Sequence, residues 1–245
     1  MTSSADAGAP AEKLENRKVR QALTPKRSHG GLQTSRTPEY LVIGHICADL
    51  HPEGKVVLGG TALYSALTAA RLGLRTAVLT RGVYGREMHG HMVPSLEQFA
   101  DELSIIVQDA DETTMFVNTY NAGRRTQHLP HWAEPIDLRG LPPHWRNAKI
   151  IHLGPIAQEI DPRQTGGLTP EFLGATPQGW MRNWPRPEGG RVTTSHLRLP
   201  ASLIGSLDGM VVSDEEISDC RDSVEAVGAR RLGVVTMGDN GSRVL

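Results

Sequence analysis

Residues Leu58 to Gly73, LGGTALYSALTAARLG, lie between two short apolar runs, and that order limits the folds open to the chain. The run from Tyr40 to Ile46 is nearly continuous, as in a strand buried on both faces of a sheet. "KVVLGG" adds a short extended piece. From Thr61, Leu63, Ala66, Leu67 and Ala70 fall at helical spacing. Thr61 can cap the start of that helix, and Gly73 can close it in the left-handed conformation. "RTAVLTRGV" is a second buried strand. Strand, helix, strand predicts a parallel pair joined by a right-handed crossover.

The alternation continues down the chain. "PSLEQFADEL" predicts a helix and "SIIVQ" a strand. "TTMFVNTYNAGRRTQHL" reads as two extended arms flanking Asn121-Ala122-Gly123, a hairpin signal. "AKIIHLGPI" is another buried strand. "TPEFLGATPQGWMRNWP" reads mainly as loop with one short strand. "LDGMVVSDEEISDCRDSVEAVGAR" is a strand and an acid-started helix, and "RLGVVTMGDNGSRVL" a strand, a glycine turn and a returning strand. Together these predict an α/β fold with a mainly parallel sheet. The chain stops at Leu245 inside that last hairpin, which reads as a truncated domain.

Residues 1–38 are rich in Ala, Ser, Thr, Pro and basic residues, too poor in apolar side chains to offset the entropy of ordering. They are expected to form a disordered tail, with the folded part at 39–245. A net charge of −1 gives no field that would favour nucleic acid or an anionic membrane. No apolar run approaches the roughly 20 residues needed to span a bilayer. The two cysteines, Cys47 and Cys220, are too far apart in sequence for a C-x-x-C site, and a cytoplasmic setting is expected.

Ligands of open parallel sheets bind beyond the carboxyl ends of the strands. The polar and glycine-rich residues expected there are Asp49, Gly59-Gly60, Gly154-Pro155, Gln178 to Arg182, Ser213 to Glu216 and Thr236 to Gly241. Asp49 can accept hydrogen bonds from two adjacent sugar hydroxyls, or serve as a turn aspartate. The glycine pair is either a plain turn or a place where something approaches the backbone. Glu216 can complement the helix dipole, or orient a magnesium ion through water. His89 and His91 in "HGH", and His128 and His131 in "HLPH", lack the H-E-x-x-H pattern and read as non-ligands. Cys47 reads as core. Neither G-x-G-x-x-G after the first strand nor G-x-x-x-x-G-K-[ST] nor G-x-S-x-G occurs.

"GGTALYSALTAARLGLRTAVLTRGV" resembles the N-terminal signature of the ribokinase-like, PfkB-type carbohydrate kinases. The Asp49 segment, the lid-like "TTMFVNTYNAGRRTQHL", "IIHLGPI", "VVSDEEIS" and "VVTMGDNGS" follow in that family's order. The resemblance implies a mainly parallel sheet flanked by helices, a small β lid near 113–129, and phosphoryl transfer from ATP with Mg2+ to a sugar-like alcohol. It implies substrate binding by Asp49, Gly59, Gly60, Thr61 and Tyr64, nucleotide contacts by Thr236, Gly238 and Gly241, and a metal role for Glu216. It also implies a small-molecule partner and a homodimer through the lid, with no nucleic acid or membrane partner. Two positions depart from the pattern. Ser213 replaces the Asn of N-x-x-E, and Tyr64 stands where ribokinases proper carry a sugar-binding Asn. The family's G-A-G-D motif, source of the aspartate base and an anion hole, is not in these 245 residues. The chain is therefore expected to be inactive on its own, with a non-catalytic sugar- or nucleoside-binding relative as the alternative.

Overall fold

The computed structural model describes residues 36–121 and 124–245. The expected tail therefore lies almost wholly outside the described residues, as does the centre of the Asn121-Ala122-Gly123 turn.

The chain opens with β1 (Tyr40–Ile43), whose residues alternate between two cores. Leu41 and Ile43 join one apolar cluster, and Val42 joins the cluster on the opposite face. Gly44 and His45 end the strand, and the chain then leaves the main sheet. β2 (Cys47–Leu50) and β3 (Val56–Gly59) form an antiparallel hairpin in a second sheet. Asp49, expected in a loop after the first strand, is thus on a strand of that second sheet. The break at Gly44 restarts the extended run in a new direction.

Helix α1 (Thr61–Arg71) buries Leu63 and the small residues Ala62, Ala66 and Ala69, and the alanines allow close packing on the sheet. Its N-cap is Gly60, with no side-chain cap, so Thr61 is the first helical residue and not the expected cap. Gly73 does adopt the left-handed conformation, at φ +91°. β4 (Thr76–Arg81) returns parallel to β1, as expected.

β5 (Arg86–Met88) and β6 (His91–Val93) make a separate two-stranded hairpin. The helix expected across "PSLEQFADEL" is only a 3-10 turn at Leu96–Phe99. Leu96 and Phe99, three apart, both dock on the core, and the next strand begins four residues later, leaving no room for a longer helix. β7 (Leu103–Gln108) lies at the edge of the main sheet. β8 (Met115–Asn121) and β9 (Arg124–His131) are the two arms of the expected hairpin, in the second sheet.

β10 (Ile150–Leu153) and β11 (Phe172–Ala175) extend the parallel sheet. After them come α2 (Gln178–Met181), β12 (Arg182–Asn183), β13 (Gly190–Arg191), β14 (Thr193–Thr194) and α3 (Ala201–Ser206). β15 (Gly209–Ser213), α4 (Ile217–Gly228), β16 (Leu232–Thr236) and an antiparallel β17 (Ser242–Val244) complete the order. α4 begins after the acidic run, so Asp214 and Glu215 precede it and Asp219 is the acid in its first turn.

The main sheet runs β17-β16-β15-β11-β10-β1-β4-β7, parallel except for β17. The second sheet runs β13-β9-β8-β2-β3. This lid is wider than the expected 113–129, because the Cys47–Gly59 hairpin supplies two of its strands.

Candidate functional site

A cleft of about 700 Å³ runs from the lid sheet past Ile156 and Thr176, beyond the carboxyl ends of β10 and β11, and along α1 to Tyr40 and Ile150 at the amino ends of β1 and β10. Asp49, Gly60, Thr61 and Tyr64 form one wall. The lid contributes Phe116 and Asn118 from β8, with Arg125 and Gln127 from β9. In each strand these residues are two apart, so the period of a strand turns both pairs to the same face. Gln127 Nε2 donates to Asn118 Oδ1 at 2.8 Å, which fixes the lid amides against each other.

The Asp49 carboxylate is half-buried and makes no hydrogen bond or ion pair with any described residue. Burial raises its carboxyl above the ordinary 3.8, while the charges of His51, Arg182 and Arg125 act the other way. Gly59 does not line the cleft itself. A Cβ there would clash with Asp49 Oδ2, so its bare backbone seats the carboxylate. Gly60 is held at φ +93°, and a Cβ would stand 2.8 Å from the carbonyl oxygen of His45. Gly60 is thus required by packing of protein on protein, whereas at Gly59 the obstacle is the end of the Asp49 side chain.

Arg182 also lines the cleft and is only 6% exposed. Its Nη1 donates to the carbonyl of Ile156 at 2.9 Å and its Nη2 to Gln127 Oε1 at 3.1 Å, and the guanidinium lies over the Phe116 ring. Burial and then the Arg125 charge pull it down to about 10, so it stays cationic at neutral pH. His152 lies deeper in the cleft. It exchanges hydrogen bonds with the Tyr40 hydroxyl at 2.7 Å and Thr176 Oγ1 at 3.0 Å. Burial lowers it to about 4, so it is neutral.

A second compartment of about 450 Å³ shares Arg125, Gln127, Gln178 and Arg182 with the first, and Glu215, Glu216 and Asp219 bound its other side. Glu216 Oε1 accepts from Gln178 Nε2 at 2.7 Å, and Oε2 accepts from the Ser213 N–H at 3.0 Å. Each oxygen keeps acceptor capacity toward the compartment. A hard oxygen donor of this kind fits a magnesium ion held through water.

Thr236, Gly238 and Gly241 line neither compartment. Thr236 pairs in register with Ser213, and Gly238 and Gly241 have open space about them at φ +54° and +82°. Sequence reasoning missed Asn118 and Gln127 as cleft residues. Their signal was the two-residue alternation with Phe116 and Arg125. It also missed Glu159, a fully buried carboxylate that nothing in the local sequence marks.

No family model and no curated protein matches the chain. Solved structures do. A pyrophosphate-dependent kinase in the ribokinase family, in its sulfate complex, superposes with a TM-score of 0.64 at 18% identity, over 84% of this chain and 78% of that one. The fold is ribokinase-like. A pyrophosphate-dependent kinase of the same family, complexed with a pyrophosphate analog and myo-inositol, gives 0.60 at 19%, over 81% and 72% of the two chains. A sugar kinase from Pyrococcus horikoshii in complex with ATP gives 0.55 at 17%, over 84% and 73%. In this ribokinase-like fold Asp49 and Arg182 both line the cleft beside Phe116 of the lid sheet.

Proposed function

We propose that the protein binds a sugar or sugar-like polyol in the cleft under the lid, as the acceptor of phosphoryl transfer from ATP with Mg2+. The observation that carries this reading is Asp49: a half-buried carboxylate without a partner among the described residues, set among amides and guanidinium groups in a concave site. A polyol suits such a wall, because vicinal hydroxyls donate to the carboxylate and accept from the amide and guanidinium N–H groups. ATP as donor is supported by the neighbour solved with ATP, and the sugar-like acceptor by the neighbour solved with myo-inositol. Glu216 would hold the magnesium ion, which would neutralise charge on the transferred phosphoryl group. Thr236, Gly238 and Gly241 as nucleotide contacts rest on the sequence resemblance. So does a homodimer through the lid. Two unpaired, buried cysteines support a reducing, cytoplasmic setting.

A second reading is a sugar- or nucleoside-binding protein without transfer chemistry. It rests on the same cleft, whose Asp49, Asn118 and Gln127 can hold a polyol without any transfer step. Titration calorimetry against pentoses, hexoses, inositols and nucleosides, beside a coupled ADP-release assay, separates the two. Binding that Asp49→Asn abolishes, together with turnover, supports the kinase. The same binding without turnover supports the second reading. Absence of binding to every compound overturns both.

A further inference from the structure

The chain brings together three side chains that its linear order keeps apart. His89 is in the two-residue turn between β5 and β6, Glu112 precedes β8, and His131 ends β9. His89 Nε2 is 2.8 Å from Glu112 Oε1, and His131 Nδ1 is 3.4 Å from the same oxygen. The two imidazole rings are stacked, with centroids 3.7 Å apart and planes 8° apart. One donor atom from each of the three residues falls within 4.8 Å of the other two. The "HGH" and "HLPH" pairs each lack ligand spacing by themselves, but the fold takes one histidine from each.

We propose that His89, Glu112 and His131 form a binding site for a divalent first-row transition ion of the zinc class, separate from the polyol cleft. Two imidazoles and one carboxylate are a donor set that suits zinc, with a fourth position left for water. Ligand atoms at about 2.0–2.1 Å from a tetrahedral metal stand roughly 3.3 Å apart, close to the two distances to Glu112 Oε1. A metal lies in the plane of each imidazole, so binding opens the stacked rings into a V by rotation about the Cβ–Cγ bonds. The side chains of His89, Glu112 and His131 are 45%, 34% and 21% exposed, which allows both ion access and that rotation.

The ion would tie the β5–β6 hairpin to the root of the lid. Packing already joins these segments, since the Thr113 N–H approaches Met88 Sδ at 3.2 Å and the Thr113 hydroxyl bonds the Val83 carbonyl. A bound metal would add a cross-link between elements 23 and 19 residues apart in sequence.

The turn supplies a clean variant. His89 and Gly90 both have positive φ, +50° and +77°, the conformation that Asn-Gly favours in two-residue hairpins. His89→Asn therefore removes a ligand while suiting the backbone. The full chain, tag-free and stripped with chelator, is titrated with zinc chloride by calorimetry. Melting is followed with and without zinc, and cobalt is added as a visible-absorption probe. One zinc per chain at micromolar affinity or tighter, a higher melting temperature with zinc, and cobalt absorption in the visible support the site. So does at least a tenfold loss of affinity in both His89→Asn and His131→Gln. Absence of zinc binding by the wild type, or undiminished binding by a folded His89→Asn protein, overturns it and leaves the cluster as a hydrogen-bonded pair.

Discussion

The Oδ2 atom of Asp49 occupies the space that a Cβ on Gly59 would need, so the bare backbone of one residue is the seat of the other's carboxylate. The next nearest atoms to that position are Asp49 Cγ and the Tyr64 hydroxyl, both belonging to the cleft wall. One glycine therefore shapes the cleft wall without itself lining the cleft.

Gly59→Ala should displace Asp49 and weaken polyol binding by about tenfold, or about 1.4 kcal/mol. Its backbone conformation suits alanine, so stability should change little. Gly60→Val should behave differently. Its φ of +93° and the His45 carbonyl at 2.8 Å make any side chain costly, by about 2–4 kcal/mol. Calorimetric binding and urea denaturation of both variants, side by side, check the division. A Gly59→Ala protein with wild-type affinity would reduce that residue to a spacer.

Asp49 carries a pH signature. Burial raises its folded-state carboxyl above 3.8, so the folded protein holds that proton more tightly than the unfolded chain. This contribution to stability is fully present below about pH 3.8 and is lost as pH rises through the raised value. Asp49→Asn should then melt higher than wild type at pH 7, with the gap closing as pH falls toward 4. Polyol binding should be lost in the same variant. Melting curves across pH 4 to 8 test this, and a destabilised variant at pH 7 would contradict it.

Glu159 joins two loops at the base of the lid. Its carboxylate accepts the N–H of His45 at 2.9 Å, of Ile156 at 2.9 Å and of Ala157 at 2.7 Å. Glu159→Ala would leave three buried donors unsatisfied and should cost about 3–5 kcal/mol. Glu159→Gln keeps one good acceptor and should cost less. Urea midpoints give the ranking.

Arg182 ties the lid, at Gln127, to the carbonyl of Ile156 after β10. Arg182→Met keeps the volume over Phe116 and removes the charge. Stability should stay within about 1–2 kcal/mol, because among the described residues the buried guanidinium bonds only neutral oxygens, of Ile156 and Gln127, and strands no carboxylate. Polyol affinity should fall by about tenfold or more. Calorimetry beside thermal melting shows whether the two readouts separate in this way.

The parallel core was legible because each strand is a short apolar run and each crossover a separate pattern. Tyr40 to Ile43 and Thr76 to Arg81 are buried along nearly their whole length, and Ile150 to Leu153 on one face, so local sequence alone marks them. The Asn121 hairpin and the Gly73 helix stop were legible for a similar reason, since turn residues act locally. The lid's extent was not. Nothing within Cys47 to Gly59 says that it pairs with β8 in a second sheet, because that register is set across 67 residues, Ala48 to Met115. The 3-10 turn at Leu96 to Phe99 was hidden as well, since docking of two side chains overrode helix propensity. Asp49 and Glu216 could be named from their places in the motifs. Arg182 beside Gln127, Glu159 under three backbone N–H groups, and His89 stacked on His131 come from distant segments. Only the tertiary structure could bring them together, because contacts between separate elements depend on packing that no local pattern encodes.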